Sequence, residues 1–224
     1  MNDQVNQLVD ADSAAAGLRQ GAADQTAAEA MHRRIVETAE RLYRQFGYQK
    51  TTVADIAAEL GMSPANVYRF FASKSAITEA VARKVTSEVA EAAREAASTP
   101  GLSARERLRR VVRINYNTIL QRCVTDNRMH AMVHAAIEES WGVIHAHKEA
   151  MRRIMAQIIG EGVATGEFAV DDVDHAARCF QYATVSCCHP LLIEHRLKAG
   201  DDLEASIEPL LEFCFRGLGA NGPG

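Results

Sequence analysis

The sequence predicts an all-α protein of about nine helices, in which a small three-helix domain precedes a larger helical bundle. Aromatic residues make up only 6% of the 224 residues, and Ala is abundant whereas runs of Val, Ile and Thr are scarce. This balance favours helix over strand. Apolar residues also recur at intervals of three and four along most of the chain, which is the spacing of one helix face.

Shifts in composition divide the chain into four segments. We expect a disordered arm at residues 1–26, because this stretch is rich in Ala, Gln and Asp and carries no sustained apolar stripe. The small domain should then span 27–77 and the bundle 78–218. The Gly-rich end at 219–224 should be a flexible tail.

The first two helices of the small domain are marked by apolar spacing and by glycine. The first helix places its apolar residues on one face and ends at Gly47, where that pattern stops. The second helix begins after Thr52, which forms a capping-box pattern with Asp55 three residues later. It closes at Gly61.

The third and fourth helices each begin after a serine. Ser63 followed by Pro64 is typical of an N-cap and the first position of a helix. Ser73 can cap a long fourth helix, which begins at Lys74 and runs to about Ala97 before a Thr-Pro-Gly break.

Five further helices follow in the bundle, and the last one carries the widest apolar face. We predict them at 103–125, 127–140, 141–164, 171–198 (with a kink at Pro190 inside it) and 201–217. The apolar face of the last helix consists of Leu203, Ile207, Leu210, Leu211, Cys214 and Phe215. A solitary chain would bury only one side of such a helix, so the last two helices predict a homodimer.

The second and third helices fit a helix-turn-helix position by position. The first helix of this motif needs a small residue at the crossing, the turn needs a glycine for its positive φ, and the second helix needs apolar inner residues. Ala57, Gly61, Val67 and Phe70 meet these requirements. Residues 31–75 also carry a net charge of +3, against −7 for the rest of the chain, which suits a module that binds a polyanion.

The same region resembles the N-terminal DNA-binding domain of the tetracycline-repressor (TetR) family over about 50 residues, from RRIVETAERL to SAITEAV. The shared features are the FGY helix end, the TT-x-x-x-IA-x-x-x-G-x-S turn region, the x-x-x-Y-x-x-F third helix and the SK that opens the fourth helix. The resemblance implies a dimeric regulator that binds palindromic operator DNA and is released by a small-molecule effector. It also implies that the last two helices form the dimer interface.

The family resemblance places the DNA contacts at the third helix and at the starts of the second and fourth helices. Asn66 can bond an adenine edge at two points, and Arg69 can reach guanine or phosphate. Tyr68 and the backbone N–H groups at helix starts suit phosphate oxygens. The predicted set is Thr51, Thr52, Ser63, Pro64, Ala65, Asn66, Tyr68, Arg69 and Lys74. For Ser63, capping is an equally good explanation.

Histidines in the bundle suggest a second kind of site. His134 and Glu138 lie one turn apart, His147 faces inward, and His189 precedes a proline. These four residues predict a possible divalent-metal site and, as an alternative function, a metal-dependent helical enzyme. Core histidines bonded to carbonyl groups would explain them as well. The sequence has no H-E-x-x-H, G-x-S-x-G or Gly-rich phosphate loop, so we expect no enzyme and no cofactor required for DNA binding.

An effector pocket is predicted inside the bundle, where apolar side chains meet histidines. Its candidate residues are Met132, His134, Trp141, His147, Met151 and Phe180. Histidine at the end of an apolar pocket would orient a carboxylate or hydroxyl of the effector. Plain core packing is the alternative for the apolar members.

Five cysteines show neither a C-x-x-C pair nor the spacing of a zinc ribbon. We interpret them as buried free thiols in a reducing compartment. No stretch approaches the roughly 20 unbroken apolar residues of a membrane span. We therefore expect a cytoplasmic protein with no membrane partner.

Overall fold

Nine helices and no strand make up the part of the chain that the structure describes. This structure is a computed structural model, and it describes residues 26–121, 132, 135 and 141–219. The helices are α1 (26–46), α2 (Val53–Glu59), α3 (Pro64–Tyr68), α4 (Lys74–Ala97), α5 (Ala104–Ile119), α6 (Trp141–Ala164), α7 (Val173–Cys188), α8 (Pro190–Lys198) and α9 (Leu203–Gly217). The all-α prediction is confirmed. The predicted arm, tail and helix 127–140 lie almost wholly outside the described residues.

Polar side chains cap the N-terminal ends of α2, α3 and α4, as the sequence predicts. Thr52 Oγ1 accepts a hydrogen bond from the Asp55 amide at 3.2 Å, and Asp55 Oδ2 accepts one from the Thr52 amide at 2.7 Å. Ser63 and Ser73 each accept a hydrogen bond from the amide three residues on, at 3.3 and 3.0 Å. Because one such cap contributes about 1 kcal/mol, the starts of α2, α3 and α4 are fixed by local sequence.

The predicted helix at 171–198 is wrong in one respect, because it consists of two helices, α7 and α8. His189 between them has an extended backbone, with φ −115° and ψ 122°. Pro190 lacks the N–H that a continuing helix would use, and its ring disfavours a helical conformation at the preceding residue. Pro190 instead begins α8, at a position where proline is tolerated.

Two hydrophobic clusters share α4. Ile77 and Val81, in its first half, pack with α1, α2 and α3 in the small-domain cluster. Ala90 and Ala93, in its second half, belong to the body cluster, which includes residues of α5, α6, α7, α8 and α9. Val143 of α6 belongs to the small-domain cluster. The small domain is therefore packed onto the body through α4 and the start of α6.

The apolar stripe of α9 faces the core of its own chain. Phe215 is 1% exposed, and its ring centroid lies 6.5 Å from that of Phe168 and 6.3 Å from that of Phe180 in α7. The other members of the stripe are buried as well, except for the half-buried Leu210. The prediction that this stripe is the dimer surface is therefore wrong, because helices of the same chain already cover it.

Three arginines of α5 and three glutamates of α9 hold these two helices in register. Each set is spaced by four residues, so each lies along one helix face. Arg105 pairs with Glu212, Arg109 with Glu208 at 2.7 Å and Glu212 at 3.2 Å, and Arg113 with Glu204 at 2.7 Å. Since the pairs are partly exposed, each contributes about 0–1 kcal/mol, and their main effect is to orient α9 along α5.

Candidate nucleic-acid interface

The outer face of α3 is polar and open to solvent. The exposed residues on and beside this helix are Ser63, Pro64, Ala65, Asn66, Tyr68 and Arg69. Val67 in the middle of the helix is fully buried in the small-domain cluster together with Ala57 of α2. The burial of Val67 fixes which way α3 faces, so an amide, a phenol and a guanidinium are presented outward.

The turn between α2 and α3 depends on Gly61. Its φ is +68°, a conformation in which a side chain would be strained. The following amide, that of Met62, donates a hydrogen bond to the Ala57 carbonyl at 2.9 Å and closes the end of α2. The predicted positive φ at this turn is confirmed.

The two threonines before α2 have different environments. Thr51 is 2% exposed, and its hydroxyl donates a hydrogen bond to the Gly47 carbonyl at 2.9 Å. This hydroxyl stabilises the turn after α1, which argues against the phosphate contact expected from the sequence. Thr52 is exposed at the N-terminus of α2, where a phosphate would also meet free helix N–H groups. Its hydrogen bonds lower the pKa of Asp55.

Lys74 has a bonding partner inside the domain. Its Nζ donates a hydrogen bond to the Tyr48 carbonyl at 2.6 Å and lies 4.1 Å from the centroid of the Tyr48 ring. Partial burial lowers the pKa of Lys74, and the charge of Asp55 offsets part of that effect. The ammonium group therefore joins the start of α4 to the turn after α1, and a phosphate would have to compete with the Tyr48 carbonyl for it.

Several cations of the small domain are also neutralised by neighbouring acids. Arg41 pairs with Glu59 at 2.7 Å, whereas Glu40 accepts from Arg44 at 3.0 Å and from Lys84 at 2.7 Å. The net charge of +3 for residues 31–75 already includes these acids, so the ion pairs leave it unchanged and show only where the unneutralised charge lies. Besides Arg41, the exposed basic residues are Arg33, Arg34, Lys50 and Arg69. Only Arg69 was expected to bind DNA, since sequence alone does not reveal which cations are paired.

Family models match both parts of the chain. The model described as "Bacterial regulatory proteins, tetR family" matches residues 35–81, which include the helix-turn-helix. The model described as "Tetracyclin repressor-like, C-terminal domain" matches residues 104–206. The chain belongs to the TetR family. The resemblance first noted in the small domain thus extends through most of the body.

Solved structures share this TetR-family fold. A transcriptional regulator of the TetR/AcrR family from Thermobifida fusca is 23% identical, with a TM-score of 0.60 over 84% of this chain and 97% of that one. The fatty acid degradation regulator FadR from Bacillus halodurans is 16% identical, with a TM-score of 0.60 over 85% and 97%. PfmR from Thermus thermophilus is 24% identical, with a TM-score of 0.55 over 83% and 98%. No curated protein sequence matches the chain significantly.

The protein is therefore a TetR-family transcriptional regulator with a helix-turn-helix. TetR-family regulators bind operator DNA, dimerise and respond to small molecules, so the exposed face of α3 is the candidate DNA-binding surface. Among the described helices, none is both long and apolar enough to span a bilayer.

A second exposed surface of the regulator is apolar. Tyr182 and Val185 of α7 are 68% and 40% exposed, and Phe213 of α9 is 72% exposed. We call these three residues the α7–α9 patch. Helices α7 and α9 pack against each other, and exposed large apolar side chains on adjacent helices are typical of interaction sites. The sequence pattern did not single out Phe213, because this residue falls outside the main apolar stripe of its helix.

The predicted effector residues do not form a single group. Met132 is buried in the small-domain cluster, whereas Met151 and Phe180 are buried in the body cluster. These three residues therefore belong to two different clusters, and the pocket that they were expected to line stays a prediction. His134 and the side chain of Trp141 lie outside the described residues.

Two of the four predicted metal ligands are described, and both are histidines in a buried setting. Burial lowers the pKa of His147, and a contact with the Thr86 backbone carbonyl partly offsets that shift. Burial also lowers the pKa of His189, and the charge of Lys148 acts in the same direction on both. The Nδ1 atoms of both histidines are buried and have no hydrogen-bond partner among the described residues. The other two ligands, His134 and Glu138, fall outside the described residues, and within those residues no three His, Cys, Asp or Glu side chains are grouped to hold a metal.

Proposed function

We propose that this TetR-family regulator binds a palindromic operator as a homodimer and represses transcription until a small-molecule effector releases it. The exposed face of α3 carries the proposal. Its buried Val67 fixes the helix, and Asn66 and Arg69 have the donor and acceptor groups that distinguish base pairs in the major groove. Tyr68, Thr52 and the N-terminus of α2 would bind the flanking phosphates.

A homodimer would bring two copies of α3 to successive major grooves. Half-sites of such operators lie about 34–36 Å apart, so the two chains must be held at a fixed separation. We propose that the α7–α9 patch forms the centre of the interface. Phe213 and Tyr182 are the kind of large side chains that contribute most to protein interfaces.

Effector control would pass through α4. This helix contributes to both hydrophobic clusters and packs along α6. An effector that moves α6 would therefore move α4 and change the separation of the two α3 helices. A shift of a few ångströms is enough to weaken insertion into both grooves.

For the ligand of the body we propose an uncharged or anionic organic molecule rather than a metal ion. The positive charge of Lys148 acts on both His147 and His189, and it would oppose a cation bound to either imidazole. The metal set that includes His134 and Glu138 stays a prediction, and no described residue favours the alternative of a metal-dependent enzyme. We further propose that the protein works in the cytoplasm, where operator DNA would be accessible to it.

The test is operator binding by a variant of α3. Duplex sites would first be selected from a random-sequence pool with the wild-type protein, and gel shifts would then compare Asn66→Ala/Tyr68→Ala with wild type. We expect affinity to fall by about 30-fold or more, because a base contact and a phosphate contact are lost together. Asn117→Ala, at an exposed position of α5, is the matched control and should bind as wild type does. A folded double variant that binds with wild-type affinity would contradict the proposal.

A further inference from the structure

A groove of 480 Å³ lies between the first half of α7 and the end of α9. Its floor is apolar and includes Phe180 and Leu218, which are buried. Its rim holds His175 and Cys179, both on α7 and both exposed. The end of α9 is fixed beside it, because the Ala169 amide donates a hydrogen bond to the Leu218 carbonyl at 2.8 Å. The groove therefore has defined walls on both sides.

His175 and Cys179 are spaced by four residues, and their side chains meet. Cys179 Sγ lies 3.6 Å from His175 Nε2. Cys179 is an exception to the interpretation of the cysteines as buried thiols, since Cys187 and Cys214 are buried and Cys188 is half-buried. Because both side chains are exposed, their contact is not needed to fill the core or to satisfy a buried polar atom.

The distance between the two atoms is the one that a tetrahedral metal centre requires. Zinc binds thiolate sulfur at about 2.3 Å and imidazole nitrogen at about 2.0–2.1 Å. With a tetrahedral angle between those bonds, the sulfur and nitrogen are separated by about 3.6 Å. The two ligands are therefore already at the correct separation on α7, and binding would not require the helix to change.

We propose that His175 and Cys179 bind a thiophilic divalent cation such as Zn²⁺. The cation would accept the Nε2 lone pair of His175 and the thiolate of Cys179, whose proton passes to solvent. Water would fill the remaining positions, because no third His, Cys, Asp or Glu among the described residues is grouped with this pair. Soft sulfur with imidazole nitrogen selects zinc-like ions over Mg²⁺ and Ca²⁺. Phe213 of the α7–α9 patch lines the same groove, so this site adjoins the proposed dimer interface.

The other explanation of the contact is a weak hydrogen bond between a thiol and an imidazole. Such a bond would require no metal and would leave each side chain replaceable without effect on metal binding. The two explanations differ in what the thiol does when a cation is added, and this difference can be measured directly.

Cobalt is the suitable probe, since Co²⁺ substitutes for Zn²⁺ and gives a thiolate-to-metal absorption band. Reduced, tag-free full-length protein would be titrated with Co²⁺, and Zn²⁺ would then be added as a competitor. We expect wild type to show the band and Zn²⁺ to remove it. Cys179→Ser should abolish the band, and His175→Ala should weaken Co²⁺ binding at least about tenfold, since even outer-shell partners contribute about 10–100-fold.

Two variants control for the other thiols and histidines. Cys214→Ala removes a buried thiol that lines the same groove, and His195→Ala removes an exposed histidine of α8. Both should retain the wild-type band and affinity. The proposal is overturned if wild type gives no thiolate band, if Cys179→Ser keeps it, or if His175→Ala binds Co²⁺ as tightly as wild type.

Discussion

The outer faces of α3 and of α9 are both exposed, but their chemistry is opposite. The exposed side chains of α3 include Asn66 and Arg69, which suit a hydrated, charged ligand, whereas α9 exposes Phe213, which suits an apolar partner. Each face lies opposite a buried stripe that anchors its helix. The buried side of a helix thus accounts for the fold, and the function is found in what the same helix leaves exposed.

The largest expected difference is between Phe215 and Phe213, two residues apart on α9. Phe215→Ala removes a ring that is 1% exposed and should lower the free energy of unfolding by about 3–5 kcal/mol at any protein concentration. Phe213→Ala removes a ring that is 72% exposed and should weaken only the dimer, by about 2 kcal/mol or more. Chemical denaturation at two protein concentrations, together with sedimentation, separates these effects.

Phe215→Ala and Phe213→Ala together test which side of α9 belongs to the core and which to the dimer interface. Equal, concentration-independent losses in the two variants would mean that Phe213 is part of the core. A Phe213→Ala variant that dimerises as tightly as wild type would remove the α7–α9 patch from the interface.

Substitution of Gly162 in the body or of Gly61 in the small domain should destabilise the protein, for different reasons. Gly162→Ala in α6 would place a Cβ 2.9 Å from that of Ala104 and closer still to the buried Phe168 ring, which should cost about 1–3 kcal/mol. Gly61→Ala has open space around it but a φ of +68°, which should cost about 1–2 kcal/mol. Gly142→Ala is the matched control, because that position has open space and a helical backbone and should stabilise by up to about 1 kcal/mol.

Denaturation midpoints of these three variants check the ranking. A destabilised Gly142→Ala would indicate that any side chain is harmful in this part of the fold. A neutral Gly61→Ala would contradict the turn geometry between α2 and α3.

A smaller effect on the free energy of unfolding is expected from pH, through His147 of α6. Burial lowers the pKa of His147 below its unfolded value of about 6.5, so the unfolded chain binds more protons between those two values. The free energy of unfolding should therefore fall as the pH drops below about 6.5. Denaturation of His147→Gln across this range should show a shallower loss, whereas His145→Gln, at an exposed position, should follow wild type. An unchanged slope in His147→Gln would show that this histidine does not titrate with unfolding.

The small domain was largely predictable because its signals are local. Thr52 with Asp55, Ser63 with Pro64, and Gly61 each fix the backbone within a few residues, and all three were identified from sequence. The body was less predictable because its packing is decided between distant segments. Phe215 and Phe213 are both apolar, and only the positions of α5 and α7 determine which one is buried.

The site residues show the same contrast between local signals and contacts that depend on distant segments. The exposure of Asn66 follows from the register of one short helix, so the pattern alone predicted it. The hydrogen bonds of Thr51 to the Gly47 carbonyl and of Lys74 to the Tyr48 carbonyl depend on how the turn after α1 folds. Nothing in the residue spacing indicated them.

The central claim is that the outer face of α3 distinguishes bases, and base-by-base measurement of Asn66→Ala tests it most directly. Affinities of wild type and variant would be measured for the selected operator and for every single base-pair substitution of one half-site. We expect the variant to lose about 1–3 kcal/mol at the operator and to lose its preference at one base pair while keeping it at the others. Uniformly weaker binding with every preference intact would contradict the claim, because Asn66 would then contact only the backbone or act through the fold.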